Sequence, residues 1–183
     1  MEPRRCQRGF TLIELTMALG VAALMVTAAI GAAGQSLPRF RLRQASLDIA
    51  SALQAARAKA VLERSVVTMP FDTARGMYTV YANTAPMGTT TVTDGFGKTT
   101  WFAKLPAEVT FARPDGAQVV TLRPPAAPTD EAASFDTTGL LLSTSRPGYV
   151  YVGVPARGLY RRVGVNLAGT VEIESWDGVA WKK

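Results

Sequence analysis

"RGFTLIELTMALGVAALM", residues 8–25, joins a basic segment to an apolar one and leaves a single carboxylate, Glu14, inside the apolar run. In a membrane-inserted helix an acidic side chain costs up to about 2.5 to 3.5 kcal/mol, depending on its depth. A residue that costly needs a partner or a use. Beyond it, Leu15 to Leu37 give 23 residues without a charge. As a helix rising about 1.5 Å per residue they reach roughly 35 Å, enough to cross a bilayer. Arg4, Arg5 and Arg8 precede the run, so the positive-charge bias predicts a cytoplasmic amino terminus and an exterior location for everything after Leu37.

Composition narrows the chemistry open to the rest. The 183 residues suffice for one ordinary domain plus an accessory segment. Net charge is +6, from 20 Lys and Arg against 14 Asp and Glu; without residues 1–9 the balance is 17 against 13, or +4. So small an excess is weak ground for a nucleic-acid partner. Cys6 is the only cysteine and lies ahead of the apolar run, so the body forms no internal disulfide and no thiolate metal site. Histidine is absent, which removes Ser-His-Asp and Cys-His catalysis and the commonest metal ligand. Asp72, Asp94, Asp115, Asp130, Asp136 and Asp177 sit mostly beside Gly, Thr or Pro, the turn positions that suit aspartate on structural grounds. "DTARG", "DGFGK" and "DEAASFD" match neither a calcium loop nor a phosphate-cradling loop. The chain is read as a non-enzyme, with no catalytic residue, metal or cofactor expected.

Three readings of the amino terminus compete. A secretory signal would be cut after Ala33, where "IGAAGQ" (30–35) offers small residues. An uncleaved anchor would simply stay in the membrane. Both leave Glu14 and the abrupt Arg8-Gly9-Phe10 junction without a role. The third reading is that "RGFTLIEL" before about twenty apolar residues closely resembles the leader junction of type IV prepilins and type II secretion pseudopilins. The resemblance implies cleavage between Gly9 and Phe10 by a membrane prepilin peptidase, and N-methylation of Phe10. Glu14 then becomes the fifth residue of the mature chain. It implies further that Glu14 of an incoming subunit seeks the amine at the first position of its neighbour. The chemistry is consistent, because a carboxylate in a low-dielectric helix bundle is tolerated when an ammonium pairs with it. One departure is visible: many major pilins carry a proline inside the apolar segment, whereas here the nearby proline is Pro38, beyond it.

After Pro38 the pattern becomes amphipathic. Phe40, Leu47, Ala50, Leu53 and Ala60 or Val61 recur at spacings of three, four or seven, predicting a helix to about Arg64 whose apolar stripe lies on a sheet. Arg39, Arg41 and Arg43 read as a solvated, membrane-proximal face. From Val66 onward strand signals take over. "SVVTMPF" (65–71) and "GMYTVYA" (76–82), separated by a short turn, predict a hairpin. Residues 83–98 read as a surface loop and the proline-rich 123–133 as exposed. "TTWFAKL", "VTFARP", "AQVVTLRP", "GYVYVGVP", "YRRVGVNL" and "TVEIES" predict short strands, the last two alternating in polarity and joined by a turn at Ala168-Gly169. The expected organisation is a leader over 1–9, a transmembrane and assembly helix over 10–37, an amphipathic helix over 38–65 and a β-rich periplasmic domain over 66–183.

The carboxy-terminal part is similar to the GspH/FimT group of minor pilins and pseudopilins, through Phe135 to Gly139 before one strand, and Arg161, Arg162 and Gly169 before the last. The resemblance implies an α+β, pilin-like fold, with a long amino-terminal helix on an antiparallel sheet. It implies a minor subunit of a type IV pilus or a type II secretion pseudopilus, in the priming or tip complex. Such a subunit is single-pass in the bacterial inner membrane, and its partners are the peptidase, other minor and major pilins or pseudopilins, and the membrane. Phe135 reads as a core anchor, and Gly139 and Gly169 as turn residues needing positive φ. Some members of the group bind DNA in natural transformation. The candidates here are Arg161, Arg162, Lys182 and Lys183, with Tyr160, Trp176 and Trp181 available for stacking. Mass spectrometry of protein from cells that contain the leader peptidase is expected to give methylated Phe10 as the first residue. A chain beginning at Gly34 or Gln35 would establish the secretory signal instead.

Overall fold

The computed structural model describes residues 11–82, 85–87, 91–93, 99–101, 103–122, 131–142 and 148–183. The chain divides into two units, Met1–Leu37 and Pro38–Lys183. Helix α1 (Leu12–Glu63) contributes to both and contains Pro38. In the first unit its side chains are exposed on every side: Leu12, Ile13, Leu15, Met17, Leu19, Val21, Leu24, Met25 and Val26 are all more than half accessible. Its hydroxyls are satisfied within the helix, Thr16 donating to the Ile13 carbonyl at 2.9 Å and Thr27 to that of Leu24 at 2.8 Å. Apolar side chains all round with polar groups bonded internally suit a helix whose surroundings are lipid or other helices. Among the described residues no helix is long and apolar enough to cross a membrane. The expected span of 10–37 includes side chains outside those residues.

In the second unit α1 is amphipathic. Leu42, Ala45, Ser46, Ile49, Leu53, Ala56 and Ala60 are buried and, the serine apart, join residues of the sheets in one hydrophobic cluster. This corrects the expected stripe, because Phe40, Leu47 and Val61 remain 67, 45 and 47 % exposed. Ala50, Leu53 and Ala60 of that stripe are buried as expected; Leu42, Ala45, Ile49 and Ala56 face the core beside them, and small side chains let a helix approach a sheet closely. The helix ends in a Schellman-type cap, with Arg64 at φ +50° and the Ser65 amide donating to the Ala60 carbonyl at 3.2 Å.

The rest of the unit is strands: β1 (Val67–Asp72), β2 (Met77–Tyr78), β3 (Val80–Ala82), β4 (Ala85–Met87), β5 (Thr91–Thr93), β6 (Thr99–Trp101), β7 (Ala103–Lys104), β8 (Ala132–Phe135), β9 (Leu141–Leu142), β10 (Gly148–Val154), β11 (Leu159–Val165), β12 (Val171–Trp176) and β13 (Trp181–Lys182). Every pairing is antiparallel. β1 is central to one sheet. One of its edges takes β2 and then β3 in a single register, Phe71 opposite Tyr78 and Val67 opposite Ala82, as the hairpin signal predicts. The other edge takes β8, with Val67 opposite Phe135. The second sheet has the order β10-β11-β12-β13. "VTFARP" and "AQVVTLRP" do not form the expected strands and each pairs with the second sheet through a single bridge, Thr110 to Gly153 and Val120 to Val150. Two further expectations change. Residues 83–98 contain β4 and β5, and Ala132 and Ala133 at the end of the 123–133 segment are buried in β8. The other residues of 123–133, apart from Glu131, lie outside the described ones.

Phe135 is fully buried, and the turn after it locks the helix to both sheets. Asp136 Oδ1 accepts from the Thr138 amide at 2.8 Å, the Thr138 hydroxyl at 2.7 Å and the Leu140 amide at 2.9 Å. These bonds, led by the hydroxyl, hold the Asp136 carboxyl below the usual carboxylate range. The turn leaves Gly139 at φ +80°, and its carbonyl accepts from Arg57 Nε of α1 at 3.1 Å. Gly169, at φ +75°, lies against the same spot: a Cβ there would sit 2.5 Å from the Gly139 oxygen and 2.7 Å from Arg57 Nε. Both the backbone and the space therefore demand glycine. Gly169→Ala is expected to cost more than about 2 kcal/mol in urea unfolding. Asp136→Ala is expected to cost about 1 to 2 kcal/mol at pH 7. A carboxyl lowered by folding stabilises above its unfolded pKa of about 3.9 and ceases to do so as pH falls through its folded value. The Asp136→Ala deficit should therefore shrink below about pH 4, and unchanged cost at pH 2.5 would contradict the turn's dependence on the ionised form.

Candidate functional site

Two places hold the residues that the sequence singles out. At the first, Gly9 and Phe10 lie outside the described residues. Immediately after them Thr11 caps α1, its Oγ1 accepting from the Glu14 amide at 3.3 Å while its carbonyl accepts from the Leu15 amide at 3.2 Å. Thr-x-x-Glu is the capping-box pattern, in which residue N3 is acidic or amide. Glu14 thus stands three residues past the cap, in the first turn, where the helix dipole favours a negative charge. A capping role for Thr11 and Glu14 was legible in "TLIE" from spacing alone. Glu14 is the single charged residue among Leu12–Thr27, and its side chain is exposed.

The second place is the sheet of β10 to β13. Arg161 and Arg162 are neighbours in β11 and face opposite ways. Arg161 turns toward α1, Nη1 lying 3.4 Å from the buried Ser46 hydroxyl. Burial, and then the charge of Arg43, lower its pKa. Arg162 turns outward and is enclosed. It is bonded to Glu174, with only 18 and 17 % of the two side chains exposed, and its guanidinium lies 4.2 Å from the Tyr149 ring centre and 4.7 Å from that of Trp181. Burial works against its charge, but hydrogen bonds to Glu174 and Tyr151 and the Glu174 charge outweigh it and raise the pKa.

Aromatic rings continue this outer face. Trp181 packs on Tyr151 at 5.4 Å and on Trp176 at 5.1 Å, and Arg113 lies 4.7 Å over Tyr151. Tyr149 is opposite Gly164 and Tyr160 opposite Gly153. A Cβ on either glycine would fall 2.9 Å or less from the tyrosine ring, so the rings lie flat across the space that the glycines leave. The terminal lysines are paired as well, Lys182 with Asp177 at 2.6 Å and Lys183 with Glu172 at 2.9 Å, although both are about 70 % exposed. The four candidate DNA-binding cations are thus not assembled on one face. Arg162, Lys182 and Lys183 hold internal carboxylates, and Arg161 faces the helix. Tyr160, Trp176 and Trp181, expected to be open for stacking, are half-buried.

Those of the singled-out aspartates that lie within the described residues serve turns. Asp72 accepts from the Arg75 amide, Asp115 from that of Ala117, and Asp177 from those of Val179 and Ala180. Asp94 and Asp130 lie outside them. Among the described residues no group of His, Cys, Asp and Glu is placed to hold a metal ion.

Residues 4–30 match the prokaryotic N-terminal methylation motif. No curated protein matches the chain in sequence. In fold the chain is similar to the minor pseudopilin EpsH of the type 2 secretion system of Vibrio cholerae, with a TM-score of 0.50 and 14 % identity over 74 % of this chain and 97 % of that one. The type IV minor pilin FimU of Pseudomonas aeruginosa aligns with a TM-score of 0.47 and 12 % identity, over 74 % of this chain and 98 % of FimU. The likeness to EpsH shows a pilin-like fold, with a long amino-terminal helix packed through its second half on antiparallel sheets. The chain carries the prokaryotic N-terminal methylation motif at its amino terminus.

Arg162→Ala is expected to destabilise the protein by about 2 kcal/mol in urea unfolding, because it strands Glu174 in a largely covered position. Lys183→Ala, at an exposed pair, should leave the unfolding midpoint unchanged within the error of the measurement. Equal costs would show that the rings do not enclose the Arg162 pair.

Proposed function

We propose that the chain is a minor pilin or pseudopilin, a structural subunit of a type IV pilus or type II secretion pseudopilus that joins the priming or tip complex. Prepilin peptidase cuts between Gly9 and Phe10, and Phe10 is then methylated. Residues 10–37 hold the protein in the bacterial inner membrane, amino terminus inside and body in the periplasm, until other pilins or pseudopilins take up the helix in a filament. The observation that carries this reading is the first part of α1. Within the methylation motif matched over residues 4–30, a helix exposes apolar side chains on all sides with Glu14 as its one charge among Leu12–Thr27. Water makes such a surface unfavourable, and both lipid and a bundle of like helices cover it.

The new amine at Phe10 supplies the cation that a carboxylate in that setting needs, and a neighbour's Phe10 brings it within reach of Glu14 during assembly. The cost of Glu14 thereby favours docked over undocked subunits. The alternative, a DNA-binding minor pilin, gains nothing from the body, since most of its candidate cations are engaged by carboxylates.

Two substitutions separate charge from capping. Glu14→Ala removes both, whereas Glu14→Gln keeps the capping-box pattern and removes only the charge. Both variants are expected to insert and be processed normally, and both to enter sheared filaments at about a tenth of the parental level or less, in line with a lost charge-assisted bond. Normal incorporation of Glu14→Gln would assign Glu14 to capping alone.

A further inference from the structure

Arg41 is paired with Glu108 at 3.3 Å. Its neighbours on the helix differ. Among the described residues Arg39, Arg43 and Arg161 form no ion pair. Arg39 and Arg161 instead line one open hollow of about 180 Å³, together with Tyr160, Ser175 and Trp176, over an apolar floor of Leu42 and Leu159. Arg43, one turn along α1 from Arg39, is near enough for its charge to act on Arg161. Three guanidinium groups gathered in this way repel one another, and partial burial of Arg161 removes some of the water that would screen them. The contact of Arg161 with the neutral Ser46 hydroxyl neutralises nothing. An anion in the hollow would relieve the repulsion, and the fork of an arginine suits an oxyanion with several acceptors.

The place of the hollow in the chain narrows the anion. Arg39 is the second residue past Leu37, where the 23 uncharged residues end. If residues 10–37 are held in the membrane, residue 39 falls at the level of the lipid headgroups. Arginine, tyrosine and tryptophan are the side chains that occupy that level. We propose that the hollow binds the phosphate of a glycerophospholipid headgroup in the periplasmic leaflet, with Arg39 and Arg161 as its cationic ligands. The proposal rests on the membrane anchoring put forward above. It gives the body a fixed seat on the bilayer before assembly, and that seat is released when the subunit leaves the membrane.

The test uses the full chain in an uncharged detergent, titrated separately with dihexanoylphosphatidylglycerol, inorganic phosphate and a single-stranded oligothymidylate while tryptophan fluorescence is followed. A saturable response to the lipid is expected. It should weaken about tenfold in Arg39→Gln and in Arg161→Gln, and persist in Arg75→Gln. Arg39 is an exposed helical position, so its substitution tests the site without disturbing the core. Inorganic phosphate saturating at the same concentration would overturn the lipid as the source. Tighter binding of the oligonucleotide, lost with the same arginines, would overturn it in favour of nucleic acid. No response to any of the three would overturn the site.

Fractionation of the source cells and the mass of the amino terminus separate this failure from that of the anchoring. A chain processed at Phe10 and recovered in membranes, but silent to lipid, leaves the anchoring standing and removes the site. A chain recovered outside the membranes removes both.

Discussion

The body of the protein depends on one face of α1 lying on the sheets. Leu42, Ala45, Ile49, Leu53, Ala56 and Ala60 are each 4 % exposed or less and share one cluster with Val67, Phe135, Val150, Val152, Val163 and Val165. Removing that face would leave the inner sides of two small sheets open to water, and neither sheet has a second layer of its own. Burial of apolar area at roughly 25 cal/mol per Å² is therefore the term that holds them to the helix and to each other. Arg57 adds direction. Its bond to the Gly139 carbonyl, with Gly169 pressed against the same atoms, fixes helix, β9 turn and β11–β12 turn at one point. A polar clip of this kind contributes less energy than the apolar face, but it permits one arrangement where the face alone would permit several.

The same helix changes character along its length, and the sequence announces the change clearly. Uniform apolarity before Leu37 and amphipathic spacing after it mark the boundary that also separates the two structural units. What periodicity does not supply is the exact face. Phe40, Leu47 and Val61 have the spacing of a stripe with Ala50, Leu53 and Ala60, yet the buried face runs through the latter three and Leu42, Ala45, Ile49 and Ala56 instead. A large apolar residue draws the eye in a sequence, while a close helix-to-sheet approach selects alanine. The packing distance decides between them, and it is a tertiary quantity.

Strand pairing was legible where alternation and turn chemistry agreed. The β1 hairpin and the β11–β12 hairpin both satisfy that condition, with Gly169 supplying the positive φ for the second. "VTFARP" and "AQVVTLRP" have strand-like composition, but each contributes only a single bridge to β10. Their apolar residues Val109, Phe111, Val120 and Leu122 are nevertheless buried. Core membership was thus readable in these segments and ladder formation was not, because hydrophobicity reports what is covered and says little about which backbone groups meet.

The candidate site was only half legible, and the missing half was available in principle. Arg161 and Arg162 look like one basic patch when written side by side. In a strand, adjacent residues point to opposite faces, so a pair of this kind divides its charges between two environments as soon as β11 is recognised. Outward, Arg162 meets Glu174 directly across the ladder, and their joint enclosure by Tyr149 and Trp181 depends on Gly164 leaving room for a ring. Inward, Arg161 meets a helix that offers Ser46 and another arginine. The outward arginine is balanced within the fold and the inward one is not. Of two residues with the same charge and adjacent numbers, only the second has electrostatic reason to seek a ligand, and the difference comes from the alternation of a β-strand rather than from the residues themselves.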